Sequence, residues 1–162
     1  MNQAPSARQL FDHFVAAASA APHPGGLGVE VGKALVHRYF EMWNRGDGTV
    51  ADAVLGGTYL DHAHPEVIGP AAVRSLVPRF HVANPDTHMT IEIVAADTEF
   101  VAVRNTISRT IRGRPIVSEG IALFRVEAGK LAEQWSWYPR TEADHSPLAG
   151  RSAIETWLSF RA

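Results

Sequence analysis

Tyr39, in VHRYFEMWNRGD, and His62, in TYLDHAHP, are side chains suited to moving a proton between carbon and oxygen. An imidazole with an ordinary pKa near 6.5 gives and takes protons close to neutrality. A phenol can donate a hydrogen bond to a developing enolate oxygen, and such a donor contributes most in a dry site. Arg109 can hold an acidic substrate group. Asn105, Gln134 and Ser136 can orient a polar ligand. Each also has a plain structural reading. Tyr39 can be a core aromatic whose hydroxyl bonds to backbone, His62 can pin a loop, and Arg109 can face solvent near a hairpin end.

The run Asp61-His62-Ala63-His64-Pro65-Glu66 invites a metal reading, because His62 and His64 would share one face of an extended strand. Metal-binding barrels of the cupin type space the Glu further from the second His and are almost entirely β. Here three helical segments come first and His64-Pro65 reads as a strand exit, so no metal is expected. His23, His37, His81, His88 and His145 form no ligand spacing. Gly25-Gly26-Leu27-Gly28 follows no strand and lacks a Lys/Ser pair, which argues against a phosphate loop. With no nucleotide or flavin signature, no tightly bound organic cofactor is expected.

Composition narrows the classes further. A chain of 162 residues with 46% hydrophobic and 20% charged residues suits one globular domain with a real core. A net charge of −2 leaves no electrostatic footprint for nucleic acid or an anionic membrane. The absence of cysteine removes disulfides, thiolate nucleophiles and Cys-based metal sites. FVAAASAAP resembles the small-residue end of a secretory signal, but Asp12 and His13 interrupt any apolar run before it. No window approaches the roughly 18 apolar residues of a membrane span. A cytoplasmic protein is the default expectation.

The elements that must position these side chains are legible from periodicity. Ser6 caps a short helix over 6–20, and PHPGGLG then breaks regular structure. From Val29 a helix places Val31, Leu35, Tyr39, Met42 and Trp43 at steps of three and four, and Gly46 stops it. A weaker short helix precedes Gly56-Gly57, and a short strand covers 58–62. Pro70 opens another helix, with Ala72, Val73, Leu76 and Phe80 apolar, which Asn84-Pro85-Asp86 ends. Everything over 89–138 reads as four β-branched or aromatic strands, parted by Asp97-Thr98, Arg112-Gly113 and Ala128-Gly129. A last helix over 152–160 closes the chain. Helices followed by a meander give an α+β class.

VHRYFEMWNRGD, TYLDHAHP and GIALFRVEAGKLAEQWSWYP, taken together, resemble the SnoaL-like polyketide cyclases of the superfamily that includes nuclear transport factor 2 and ketosteroid isomerase. The resemblance runs over about 29–138. It implies a cone, with helices packed on a highly curved antiparallel sheet that encloses a pocket. The domain would cover 29–139, between an N-terminal extension over 1–28 and a C-terminal tail over 140–162. By alignment with the family the hollow is lined at Ala122, and strand parity then turns Ser118, Gly120 and Phe124 inward with it. The same parity selects Gln134, Ser136 and Tyr138 on the last strand and Asn105, Ile107 and Arg109 on the central one. Tyr39 faces the hollow, with Trp43 one turn along. In ketosteroid isomerase a Tyr and a protonated Asp form the oxyanion hole and a second Asp is the base. Tyr39 matches that Tyr, His62 replaces the base, and Ala122 replaces the protonated acid. Aldol-type SnoaL cyclases carry an acid/base Asp where Ser136 stands and a His where Ala122 stands. Neither mechanism can be copied unchanged.

The resemblance implies a cofactor-independent enzyme that cyclises, isomerises, dehydrates or opens an epoxide on a polyketide-like or other apolar intermediate of secondary metabolism, such as antibiotic biosynthesis. The hollow would be lined by Trp43, Ile107 and Phe124, with His62 and Tyr39 catalytic. Two alternatives stand beside it: a SnoaL-like partner in hydroxylation, and a non-catalytic ligand-binding or dimerisation domain, which Ala122 and Ser136 favour. Outward Trp135 and Trp137 suggest a homodimer through the sheet face. The expected partners are a small-molecule substrate and a second copy, with no nucleic acid and no membrane.

Overall fold

A computed structural model describes residues 27–111 and 113–138. The helices expected over 6–20 and 152–160, with the extension and tail that carry them, lie outside the described residues. Helix α1 (Leu27–Arg45) leads through a 3-10 turn (Gly48–Val50) to the single turn α2 (Ala51–Val54), strand β1 (Leu55–Asp61) and helix α3 (Gly69–Ala83). Strands β2 (His88–Ala96), β3 (Phe100–Ile111), β4 (Arg114–Glu127) and β5 (Lys130–Trp137) follow. No described helix is long and apolar enough to cross a membrane.

On α1 the buried stripe is Val29, Leu35, Val36, Tyr39, Phe40 and Met42. Val31, placed on that stripe by periodicity, is exposed, and Val36 and Phe40 pack inward in its stead. Pro70 sits in the first turn of α3, where a missing N–H costs nothing. Pro78 lies inside the same helix and leaves the Arg74 carbonyl without its helical donor. Gly48 packs against that oxygen so closely that a Cβ would lie 2.2 Å from it.

The sheet order is β1-β5-β4-β3-β2, curled but open, with β1 and β2 at its edges. The four later strands form the expected antiparallel meander. The expectation of a wholly antiparallel sheet needs one correction: β1 lies parallel to β5, which makes the sheet mixed. The long connection through α3, β2, β3 and β4 carries the chain back to pair with β1 in the same direction. The β1–β5 register is broken between Leu55 and Leu60 and resumes with Leu60 opposite Glu133 and Asp61 opposite Gln134. Gly56-Gly57, read as a break before the strand, thus lies within it.

The core fills the space between the concave sheet face and the helices. Val101, Val103, Ala122, Phe124 and Leu131 from the sheet meet Tyr39, Phe40, Val73 and Val77 from the helices. On the opposite sheet face Trp135 is only 4% exposed, and Trp137 is half-buried. Two bare indoles were the sequence's reason for a dimer, and Trp135 does not supply it.

Asn44, near the end of α1, clips the helix to the first strand of the meander. Its amide donates to the Met89 carbonyl and accepts from the Met89 N–H, both at 2.8 Å, so it pairs with β2 as another strand would. Asn44→Ala leaves both backbone groups without a partner and is expected to cost about 1–3 kcal/mol in urea unfolding. Asn44→Asp keeps only the acceptor half and should also destabilise. An unchanged unfolding midpoint in both variants would refute the clip.

Candidate active site

The concave face carries a polar cluster set into the apolar core. Tyr39 is 5% exposed, Tyr59 and Asn105 are fully buried, Gln134 is 7% exposed and Asp61 is 9% exposed. Tyr59 donates to Gln134 Oε1 at 2.6 Å. That bond uses the only phenolic proton of Tyr59, so Tyr39 is the donor in the longer contact between the two hydroxyls, 3.4 Å. Around Tyr39 stand Phe124, with ring centroids 5.2 Å apart, and Trp43 at 6.2 Å, both edge-on. Trp43 in turn packs edge-on against Phe80 of α3. Beyond Gln134, at the end of β5, the Tyr138 hydroxyl meets the Asn105 amide at 3.3–3.4 Å.

Asp61 is the charged member of this cluster. Burial lifts its carboxyl above the usual carboxylate range. The neighbouring His64, the backbone N–H groups of Ala63 and His64, and His62 pull it down without reversing the shift. The Ala63 N–H donates to Asp61 Oδ1 at 2.9 Å. The carboxylate in turn acts on the phenols. Burial first and the Asp61 charge next raise Tyr39, with its hydrogen-bonding interactions with Tyr59 and Trp43 opposing. Burial, then the Tyr39 and Asp61 interactions, hold Tyr59 well above its ordinary value. Tyr138 is pushed up to about 12, by burial against the Asn105 hydrogen bond and then by Asp61. All three phenols are therefore neutral donors at physiological pH, grouped around one carboxylate with raised proton affinity.

The expected pairing of His62 with Tyr39 is not formed. His62 lies one residue past Asp61 and so points to the opposite sheet face. There it stacks on Trp135, with centroids 4.4 Å apart and planes 8° from parallel. Its Nε2 lies 2.7 Å from Glu133 Oε2. Glu133 also accepts from Arg125 Nε at 2.7 Å. Burial tends to raise the Glu133 carboxyl, but the hydrogen bonds from His62 and Arg125 outweigh it and hold it low. His62 is thereby tied into a convex-face network, away from the phenols.

Parity serves the other positions better. Asn105, Ala122, Phe124 and Gln134 belong to the concave, buried set. Asn105 pairs with Gly120, Ala122 with Ser136 and Phe124 with Gln134. Ile107 and Ser136 are half-buried, and Arg109 is half-buried near the far end of β3, opposite Ile116. Tyr59 and Asp61 were missed. Their signal lay in the strand TYLDH itself: Tyr59 and Asp61 alternate onto one face, and an aromatic at a strand centre anchors the inward set as well as any alignment does. No three His, Asp or Glu side chains converge to hold a metal among the described residues.

Because its pKa is raised in the fold, Asp61 contributes stability below the unfolded pKa and loses that contribution as pH rises through the folded one. At pH 7 the ionised carboxylate is a net cost. Asp61→Asn should therefore melt higher than the parent protein at pH 7, by about 1 kcal/mol of stability. The gap should narrow on acidification toward pH 4. Thermal melts at both pH values check this, and a variant less stable at pH 7, or a gap widening with acid, would contradict the placement of Asp61.

The same arrangement of elements recurs in known structures. A SnoaL-like polyketide cyclase from Agrobacterium tumefaciens superposes with a TM-score of 0.57 at 18% identity, over 76% of this chain and 94% of that one. TsrD from Streptomyces laurentii gives 0.59 at 22% identity, over 67% and 88%. A protein of ketosteroid isomerase-like fold from Catenulispora acidiphila, solved with trimethylamine, gives 0.59 at 17% identity, over 70% and 97%. At these identities the likeness is one of fold. No curated protein matches the sequence. The profile of the SnoaL-like domain does match, across residues 36–134, from the middle of α1 to Gln134. That span exceeds half of the sequence, and the chain belongs to the SnoaL-like domain family.

Proposed function

We propose that the protein is a cofactor-independent enzyme that moves a proton at carbon next to a carbonyl, with Asp61 as proton acceptor and Tyr39 as donor to the oxygen. The observation that carries this reading is the buried carboxylate of raised proton affinity among three neutral phenols. A general base works best when its pKa approaches the working pH, and burial moves Asp61 in that direction. Neutral phenols in a low-dielectric site stabilise an enolate oxygen without being ionised themselves. Phe124, Trp43 and Ile107 offer an apolar surround suited to a polyketide-like or other aromatic ketone. The polyketide cyclase among the structural relatives supports the same substrate class.

A non-catalytic ligand-binding domain is the second reading, favoured by the tight enclosure of Tyr39 and Tyr59 and their bonding to each other and to Gln134. The two readings part in one assay. With 2-tetralone, an apolar bicyclic ketone, in deuterated buffer, the enzyme reading expects exchange at the α-carbon well above the buffer rate, followed by NMR. Asp61→Asn should lower that rate by about two to four orders of magnitude. Tyr39→Phe should lower it by about two to three. His62→Ala, on the other sheet face, should lower it less than either, by loosening the strand end that carries Asp61. Binding of the ketone without exchange would favour the second reading, and equal exchange by Asp61→Asn would remove Asp61 from the chemistry.

A further inference from the structure

Gly120 is buried on β4, and the ring of Tyr138 lies directly on its Cα. A Cβ at position 120 would stand 1.9 Å from Tyr138 Cε1 and 2.2 Å from Cδ1. No side chain other than hydrogen leaves room for that ring. The strand partner of Gly120 on β3 is Asn105, whose amide meets the Tyr138 hydroxyl. Backbone and side chain thus place one phenol at the end of β5, on the concave face. Tyr138 as a residue is half-buried, whereas Tyr39 and Tyr59 are enclosed, but burial raises its hydroxyl as it raises theirs. Its contacts to Asn105, 3.3 Å with the amide nitrogen and 3.4 Å with the amide oxygen, are long for bonds to a hydroxyl. Tyr59, by contrast, spends its proton on a 2.6 Å bond. The Tyr138 proton, like that of Tyr39, is therefore one a ligand can take over at lower cost than the Tyr59 proton.

We propose that Tyr138, seated on Gly120 and aligned by Asn105, is a ligand-contacting hydrogen-bond donor to the oxygen of the bound molecule, so that the site reads aromatic or enolic oxygens with Tyr138 as well as Tyr39. Asp61 acts electrostatically on Tyr138, and Tyr138 on Tyr39. Gly120 is then a specificity-determining position, because any larger residue would expel the donor from its seat.

The proposal rests on the site described above and can be separated from the role of Asp61. The probe is 2-naphthol, an aromatic ring whose neutral hydroxyl oxygen can accept a hydrogen bond, titrated by calorimetry into Asp61→Asn, where no carboxylate competes for the naphthol proton. This protein should bind 2-naphthol. Adding Tyr138→Phe, which removes one hydroxyl and keeps the ring on Gly120, should weaken binding about 10- to 100-fold. Adding Gly120→Ala in place of Tyr138→Phe should weaken it at least as much, with circular dichroism unchanged. Equal affinity with and without the Tyr138 hydroxyl would overturn the proposal, while the Asp61 reading would stand or fall by the exchange assay. Failure of Asp61→Asn itself to bind 2-naphthol would overturn it as well.

Discussion

Pairing of β1 with β5 in parallel, ending with Asp61 opposite Gln134, is the constraint on which the site depends. It sets which face every side chain of TYLDH takes, and it brings a carboxylate from the first strand against residues from the last. Burying that carboxylate is unfavourable by itself, since an ion leaves water for a medium that solvates it poorly. Local hydrogen bonding offsets part of the cost, through the Ala63 N–H, but the remaining imbalance appears as raised proton affinity. What holds the strand end in place lies on the other face. There the His62 N–H also donates from the backbone to the Gln134 carbonyl at 2.9 Å, while its ring is held between Trp135 and the Glu133 carboxylate. One residue's fixed position on the convex face thus fixes its neighbour's position on the concave face.

The three phenols form a gradient from packed to open. Tyr59 is fully buried and bonded at short range to Gln134, a structural bridge between β1 and β5. Tyr39 is nearly enclosed, with its rings of contact supplied by Phe40, Trp43, Tyr59 and Phe124. Tyr138 is half-buried and loosely bonded. Such an order suits a site in which the inner groups preorganise the outer ones. A donor that is already fixed by packing loses little freedom when a ligand arrives, and the polar environment need not reorganise as charge develops.

Much of this was legible from residue pattern. The α1 stripe, the α3 start at Pro70 and the three hairpin turns of the meander follow from periodicity and turn chemistry. The inward row on β3, β4 and β5 followed from one anchor at Ala122, because antiparallel neighbours with regular register transmit parity faithfully. The first strand escaped for the same physical reason. Its pairing is parallel, non-local and interrupted between Leu55 and Leu60, so no neighbouring strand could pass its parity across. An alignment one residue out then selected His62 over Asp61. Asn44 escaped too, since a side chain that mimics a strand's hydrogen bonds leaves no periodic trace in sequence.

The proposed chemistry is further shaped by what surrounds the carboxylate. Ala122 and Ser136 put no acid at those positions on the concave face of β4 and β5, and the phenols hold their protons far above neutral pH. A proton that Asp61 takes from carbon cannot be handed to any of them as to a second base. It must return from Asp61 to the substrate, to another carbon or to an oxygen formed in the same complex. Such a single-carboxylate site favours relocation of a proton on one face of the substrate, or carbon–carbon closure in which the enolate attacks before reprotonation. Chemistry that needs a separate acid on the far side of the leaving group, such as assisted epoxide opening, is disfavoured by the same donor set. The burial that raises Asp61 serves the first half of that cycle, since a carboxylate of higher proton affinity takes a proton from carbon with less free-energy mismatch.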